Sequence, residues 1–510
     1  MRGPTTAAPE GPLPAAAAAP AVSGAGSSAA PHRAARAGVH RAIDEVIDTR
    51  AVRTVFQPVV ELATGTVVGF EALSRGPAGT DLESPLALLA AAGAAGRVGE
   101  LDWLCRTSAM RAAVASGLDP GLSWFLNVEP AGLETDCPAP LRPVLDRARR
   151  SLRVVLEVVE RDVDGHVIRL LHATDQARRD GWGVAVDDVG AEAASLSLLP
   201  FLCPDVVKLD MALLSERPSA HVSRVTAIVR AYAERTGAAI LAEGIETVRH
   251  AELAGALGAV YGQGYLYGRP GPLPASVPPV GHPVPIGQRP EPLTGATPFE
   301  VVNAAVSAQR ARRDDLAHIV THLRSTGQDP DDPGVLLTVL EDEAQYRELA
   351  ADDEAAAAVN AFTVCLVAGG TSRRSEPRHH VEPLSADAAI GRELTVIVVR
   401  PHYCAALTAR PVEPRGRPGP GASDHDHDHD HGHDHGQSRD HGQQPYDYVY
   451  THDRATVVDA ARALLAHLQP DPIASANAYQ VRPVARATTG RRWTPAGANG
   501  PHDPVARRTR

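Results

Sequence analysis

Short, nearly all-apolar runs alternate with longer amphipathic ones over the first half of the chain. TVFQPVVEL, VVGFEAL, WFLNVEP, RVVLEVVE, GVAVDDV, DVVKLD, AAILAEG and VYGQGYLYG are rich in Val, Leu and Phe. Runs this short and this apolar suit strands buried on both faces. Between them, PLALLAAAGAAGRVGELDWLCRTSAMRAAVAS, VIRLLHATDQARRDG and RVTAIVRAYAERTG carry helical periodicity, and the last two close on a stop glycine. Eight such strands alternating with helices over about 220 residues predict an α/β fold, a (β/α)8 TIM-like barrel. Only Ala63-Thr64-Gly65-Thr66 joins the first two runs, a hairpin turn and not a helical crossover. One strand should therefore run antiparallel to the rest. A doubly wound open sheet is the rival, although no glycine-rich phosphate loop follows an early strand.

The same patterning divides the chain. Residues 1–38 are Ala/Pro-rich, interrupted by prolines and without a leucine-rich segment, a poor signal peptide and a good disordered tail. Order is expected from Val39, with HRAIDEVIDTR as a first helix and the barrel over 39–272. The proline-rich stretch 273–297 reads as a linker. A mixed α/β domain is expected over 298–469. Its helices are FEVVNAAVSAQRARRDDLAHIVTHLRS and ATVVDAARALLAHL, and its strands AFTVCLVAG, ELTVIVVRP and YDYVYTH. A Gly/Pro/His/Asp-rich insert, 413–445, interrupts it, and 470–510 reads as a second tail.

Composition narrows the options. A hydrophobic fraction of 44% supports real cores, while aromatics at 4% leave the filling to Ala and Val. The net charge of −11 argues against a nucleic-acid or anionic-membrane binder. Cys105, Cys137, Cys203, Cys365 and Cys404 are odd in number and far apart, which fits incidental thiols in a reducing cytoplasm. No run approaches the ~18 apolar residues of a membrane span.

Polar residues fall at the carboxyl ends of the predicted strands, where barrel chemistry sits. Glu71 ends the second strand, Asn127 the third, and Glu157 with Glu160 the fourth. Asp187 and Asp188 close the fifth, Lys208 and Asp210 the sixth, Glu243 and Glu246 the seventh, and Gln263 lies in the last. A cluster of carboxylates in an apolar mouth repels itself, and divalent metal is the natural compensation. Oxygen donors without Cys or His point to Mg2+ or Mn2+ rather than zinc. Two such ions about 3.5–4 Å apart are the arrangement used for in-line phosphodiester cleavage. Lys208 is the only lysine in 510 residues. A compact ammonium can orient a water and offset phosphate charge in a slot too narrow for a guanidinium.

FQPVV, FEALSR, FLNVEP, LEVVE, VDDVG, VVKLD, AEGIE and GQGYLYGRP, in this order over about residues 40–272, resemble the EAL-domain family of cyclic di-GMP phosphodiesterases. The resemblance implies a barrel with an antiparallel first strand that hydrolyses cyclic di-GMP to linear pGpG with two Mg2+ or Mn2+ ions. It implies that Glu71, Asn127, Glu157 and Asp187 hold one metal. Asp187 would bridge to a second, completed by Asp188 and Glu243, with Glu243 also viewed as general base. Lys208 and Gln263 would hold the nucleophilic water. Gln57, Leu73, Arg75 and Asp210 are implied as substrate contacts, Arg75 reaching the phosphate that is not cut. Glu160 and Glu246 are implied as supports of the metal-site loops. One departure stands out: where the family usually has Phe-Gly-Thr-Gly-Tyr-Ser-Ser, this chain has VGAEAAS (Val189 to Ser195). That loop links the metal site to the family's dimer interface, so dimer-linked activation is the implication it weakens, pointing to weak or differently regulated catalysis, while a homodimer through the barrel stays an expectation.

The C-terminal region resembles the DICT sensory domain through DPGVLLTVLED, ELTVIVVRPHYCAALTAR and YDYVYTHDRATVVDAARALLAHL, which implies a regulatory input. No GGDEF-type sequence accompanies it, so cyclase activity is not expected. The run DHDHDHDHGHDHGQSRDHG reads first as a solvated low-complexity loop, with loose capture of Zn2+, Ni2+ or Co2+ as the alternative. Besides the phosphodiesterase, two readings stay open: a receptor that binds cyclic di-GMP without cutting it, and another metal-dependent barrel enzyme using Lys208 as a base.

Overall fold

β1 (Arg53–Glu61) and β2 (Val67–Arg75) pair antiparallel, with Gln57 opposite Glu71. β3 (Ser123–Asn127), β4 (Arg153–Val159), β5 (Gly183–Asp187), β6 (Val206–Asp210), β7 (Ala239–Glu243) and β8 (Tyr261–Gln263) follow in parallel. β8 returns antiparallel to β1 and closes the barrel. β1 is thus the reversed strand that the four-residue turn required. The computed structural model describes residues 29–468 except 134, 160–162, 190–194, 211–219, 288–294, 329–331, 372, 377, 386 and 413–443. The His/Asp run and the stretch from 470 onward lie outside the described residues.

Two helical expectations in the barrel half need correction. The first helix runs Ala29–Asp48, longer at its start than HRAIDEVIDTR suggested. The apolar stretch from Pro85 splits into Pro85–Ala95 and Val98–Ser116. Gly96 takes a left-handed φ of 69° there, and its N–H caps the Ala92 and Gly93 carbonyls. No helix among the described residues is long and apolar enough to cross a membrane.

The barrel interior is layered by the period-two rule of strands. Val59, Val68, Phe125, Val155, Ala185, Val206, Leu241 and Tyr261 form one apolar layer. Two residues further toward each carboxyl end stand Asn127, Glu157, Asp187, Lys208, Glu243 and Gln263. One phase of side chains therefore builds both the packed lower interior and the polar mouth.

The proline-rich stretch is not a free linker. Val284 is 0% exposed and belongs to the lower apolar layer. Arg153 donates to the Val284 carbonyl at 2.7 Å, and Gly183 faces Ile286 so closely that a Cβ there would lie 3.2 Å from it. Residues around 280–287 thus seal the barrel floor. Val and Ile among the prolines carried that signal, but proline content masked it.

Beyond it lies an eight-stranded mixed sheet in the order β12-β13-β11-β10-β14-β15-β16-β9. These are β9 (Gln309–Arg312), β10 (Val335–Leu340), β11 (Phe362–Ala368), β12 (Arg374–Glu376), β13 (His379–Leu384), β14 (Leu394–Val399), β15 (Cys404–Pro411) and β16 (Pro445–Thr451). The expected long helix from Phe299 to Ser325 is instead two helices, Pro298–Ala305 and Arg313–Thr326, flanking edge strand β9. A capping box at Thr297 starts the first of them. Leu316 and Leu323 pack with Leu336 and Val396 on one face, and Phe299, Val457 and Leu464 with Leu337 and Ile397 on the other. That second face shares one continuous apolar core with Leu199, Phe201 and Leu202 of the barrel.

Replacing Val284 with Ala should cost about 2 kcal/mol of stability, the worth of one buried valine. Val284→Asp should cost more, because it puts a carboxylate into the apolar layer of Phe125, Val155 and Leu241. Denaturant unfolding measures both, and an unchanged midpoint in Val284→Asp would show the floor to be solvated.

Candidate active site

At the mouth of the barrel the lone lysine meets the acids. Lys208 on β6 is 1% exposed, with its ammonium 2.6 Å from Glu157, 2.6 Å from Glu243 and 3.2 Å from Asp187. Glu157 is fully buried. A buried carboxylate survives only with a partner, and this amine serves three acids from β4, β5 and β7 at once. Burial pushes the Glu157 carboxyl well above its usual range, Lys208 pulls it back in part, and Glu71, Asp187 and Glu243 raise it further. Burial likewise pushes Glu243 up to about 8. For Lys208, burial opposes the charge, but Asp187, Glu157, Glu243 and Glu71 outweigh it and hold the pKa well above the ordinary value.

An amide network around Glu71 lies beside this cluster. Gln263 donates through Nε2 to Glu71 at 2.6 Å and to Gln57 at 3.2 Å, and Asn127 donates to Glu71 at 3.0 Å. Gln57 in turn donates to the Gly268 carbonyl at 3.1 Å. Gln263 Oε1 is buried and has no hydrogen-bond partner among the described residues, which leaves an acceptor at the site. Gly264 keeps this corner compact: a Cβ there would fall 2.1 Å from the Ile245 carbonyl oxygen.

Asp187, Asp188 and Glu243 each present an oxygen within 4.8 Å of the others. Asp188 adopts φ 58°, rare for a non-glycine, and its N–H is received by Asp187 Oδ1 at 2.8 Å. The donors are carboxylates and one amide oxygen, with a single ammonium among them. That set fits a hard divalent cation, which would relieve the surplus negative charge.

The other sequence-derived candidates sit around this centre. Asn127 stands beside Glu157, and Asp210 beside Glu243, in the strand register. Leu73 and Arg75 lie half-buried at the end of β2, with Arg75 donating to the Ser74 carbonyl. Glu246 is exposed in the turn after β7, where its backbone N–H reaches His250 Nδ1; its carboxylate has no hydrogen bond to the acid cluster among the described residues. Glu160 and the segment 190–194 lie outside the described residues.

The sequence reading missed a supporting pair. Asp102 and Arg106, both about 4% exposed, form an ion pair at 2.5 Å on the helix Val98–Ser116. Asp102 also accepts from the Glu129 N–H at 2.9 Å, and Arg106 donates to the Gly132 carbonyl at 3.2 Å. Together they hold the segment that leaves Asn127. The available signal was an i,i+4 Asp–Arg pair inside the apolar run LDWLCR.

Residues 40–270 match the EAL domain family, a match that covers the barrel and ends before the C-terminal sheet. The Escherichia coli (strain K12) protein named "Probable cyclic di-GMP phosphodiesterase PdeB" is 28% identical over 246 residues, 44% of this chain and 44% of that one. Its counterpart named "Probable cyclic di-GMP phosphodiesterase PdeD" is 37% identical over 126 residues, 24% of this chain and 23% of that one. The chain spans less than half the length of each of these curated relatives. Among solved structures, the Klebsiella pneumoniae BlrP1 manganese/cy-diGMP complex at pH 9.0 is similar with a TM-score of 0.38 and 28% identity, over 43% of this chain and 56% of that one.

A carboxyl with a raised pKa keeps its proton at neutral pH, so an incoming cation must expel it. Mn2+ binding at neutral pH should therefore release protons, and affinity should climb as pH rises toward about 8, where Glu243 ionises unaided. Calorimetry in buffers of different ionisation enthalpy counts the protons, and a count of zero would contradict the raised values.

Proposed function

We propose that the barrel hydrolyses one phosphodiester bond of cyclic di-GMP to give linear pGpG, using two Mg2+ or Mn2+ ions in the reducing cytoplasm. The observation that carries this reading is the single buried amine held within reach of Glu157, Asp187 and Glu243 at the barrel mouth. The match of residues 40–270 to the EAL domain family supports it, as does similarity to relatives named as cyclic di-GMP phosphodiesterases. In the same reading the C-terminal region is a DICT-type sensory domain that regulates the barrel.

Glu71, Asn127, Glu157 and Asp187 would hold one cation, and Asp187, Asp188 and Glu243 the other. When bound, the pair would neutralise phosphate charge and acidify a nearby water. Lys208 donates toward that water, and Gln263 Oε1 accepts from it, so the two fix its direction of approach. The water oxygen would bond to phosphorus as the bond from phosphorus to the ribose 3′-oxygen breaks, Glu243 would take the water's proton, and the departing 3′-oxygen would take a proton from solvent. Gln57, Leu73, Arg75 and Asp210 hold the dinucleotide. Arg75 would pair with the uncut phosphate, where a guanidinium fork suits two oxygens.

Purified protein incubated with cyclic di-GMP and Mn2+, followed by chromatography, should yield pGpG. Lys208→Arg should lower turnover about 100-fold while substrate binding persists, because the broader guanidinium displaces the water it should orient. Near-normal turnover in that variant would show the amine to be dispensable. Binding by the unaltered protein without any turnover would make the barrel a receptor instead.

A further inference from the structure

The sheet domain carries a cavity of about 430 Å³, lined by His322, Ser325, Thr326, Asp332, Arg400 and Tyr403. The first three belong to the last turn of the helix Arg313–Thr326, and Asp332 lies just before β10. Arg400 and Tyr403 bound the turn between β14 and β15, where the Arg400 N–H donates to the Tyr403 carbonyl at 2.7 Å. Arg400 is 2% exposed, and its stem lies against Gly334, where a Cβ would fall 2.6 Å from Arg400 Cγ. Arg454 donates to the Arg400 and Pro401 carbonyls. The position of this arginine is therefore set by the backbone before β10 and by the helix Arg454–Leu465.

The guanidinium stands 3.7 Å from the Asp332 carboxylate, an ion pair beyond hydrogen-bond length. The hydroxyls of the last helical turn add acceptors. Ser325 Oγ and Thr326 Oγ1 both donate to the His322 carbonyl, at 2.8 and 2.9 Å, so each turns lone pairs outward. A helix C-terminus also favours positive charge. Tyr403 supplies a ring, set against the edge of His452 with 5.6 Å between centroids. One cavity thus presents a fixed cationic donor beside a carboxylate and two hydroxyl oxygens. A simple anion there would be repelled by Asp332, and a simple cation by Arg400. A molecule that carries both charges on neighbouring atoms answers both.

We propose that this cavity binds a free α-amino acid, with its carboxylate on Arg400 and its ammonium on Asp332 and the hydroxyl oxygens of Ser325 and Thr326. A guanidinium fork suits the two carboxylate oxygens, and the ligand's own side chain packs against Tyr403. The volume falls within the range of small-molecule pockets. The site lies wholly within the sheet domain, so it stands whether or not the barrel cuts cyclic di-GMP. It gives the regulatory reading of that domain a chemical class of stimulus.

The test uses the full chain, with the twenty standard amino acids as probes. In thermal melts with each at about 10 mM, at least one should raise the Tm by about 2 °C or more. Calorimetry with that amino acid should show saturable binding. Its amide, which lacks the carboxylate charge, and the carboxylic acid that lacks its amine should each bind about 10-fold more weakly. Arg400→Lys and Asp332→Asn should each lower the amino acid's affinity about 10-fold, while Asp332→Asn leaves the amine-free acid bound no more weakly than before. Asp332 is half-buried and outside any strand, so its variant keeps the test decisive if Arg400→Lys does not fold. No response to any of the twenty, or unaltered affinity in Asp332→Asn, would overturn the proposal. Equal binding of the amine-free acid would overturn it too, by showing a site for anions alone.

Discussion

Mutual repulsion of carboxylates at the barrel mouth is the constraint from which the rest of the site follows. Glu71, Glu157, Asp187 and Glu243 all act electrostatically on Lys208, and one ammonium cannot balance them. In a poorly solvated mouth the surplus must be met by protons, by cations, or by both. Burial, joined by the neighbouring acids, raises the Glu157 and Glu243 carboxyls, and the hard-oxygen donor set fits a divalent cation. An arginine at 208 would carry the same charge in a flat fork, too wide to stand among acids converging from β4, β5 and β7. The amine is therefore a steric requirement as much as an electrostatic one.

The barrel and its reversed strand were legible because they rest on local signals: apolar runs of strand length and a turn of four residues. Most of the site was legible for the same reason. A polar residue two places beyond a buried apolar one points the same way, so Glu157 after Val155 and Lys208 after Val206 had to face one mouth. Less legible was anything that depends on contacts distant in sequence. Asp102 supports the segment after Asn127 from a neighbouring helix, and Val284 reaches the barrel floor from a stretch dominated by proline. The edge strand β9 was read as helix because its four residues sit between two genuine helices and show no burial pattern of their own. The role of Glu246 as a support of the metal-site loops rests on the family resemblance alone, and its side chain is exposed in the turn after β7.

The two halves of the molecule are joined more closely than a linker implies. Apolar packing continues from Leu199 and Phe201 into Val457 and Leu464, and polar contacts at Ser197 and Cys203 fix its register. A neutral hydrogen bond adds only about 1 kcal/mol of net stability. Beside strained backbone, however, such contacts decide which conformation is populated rather than whether the protein folds.

The sealed floor bears on where an autonomous catalytic fragment could end. Sequence matching stops at residue 270, yet Val284 fills the lower layer and Ile286 lies against Gly183. A chain cut at the matched boundary would expose an apolar well lined by Phe125, Val155 and Leu241 to solvent, inviting self-association. The smallest fragment that keeps this floor closed extends at least through Gly287, whose N–H reaches Asp205.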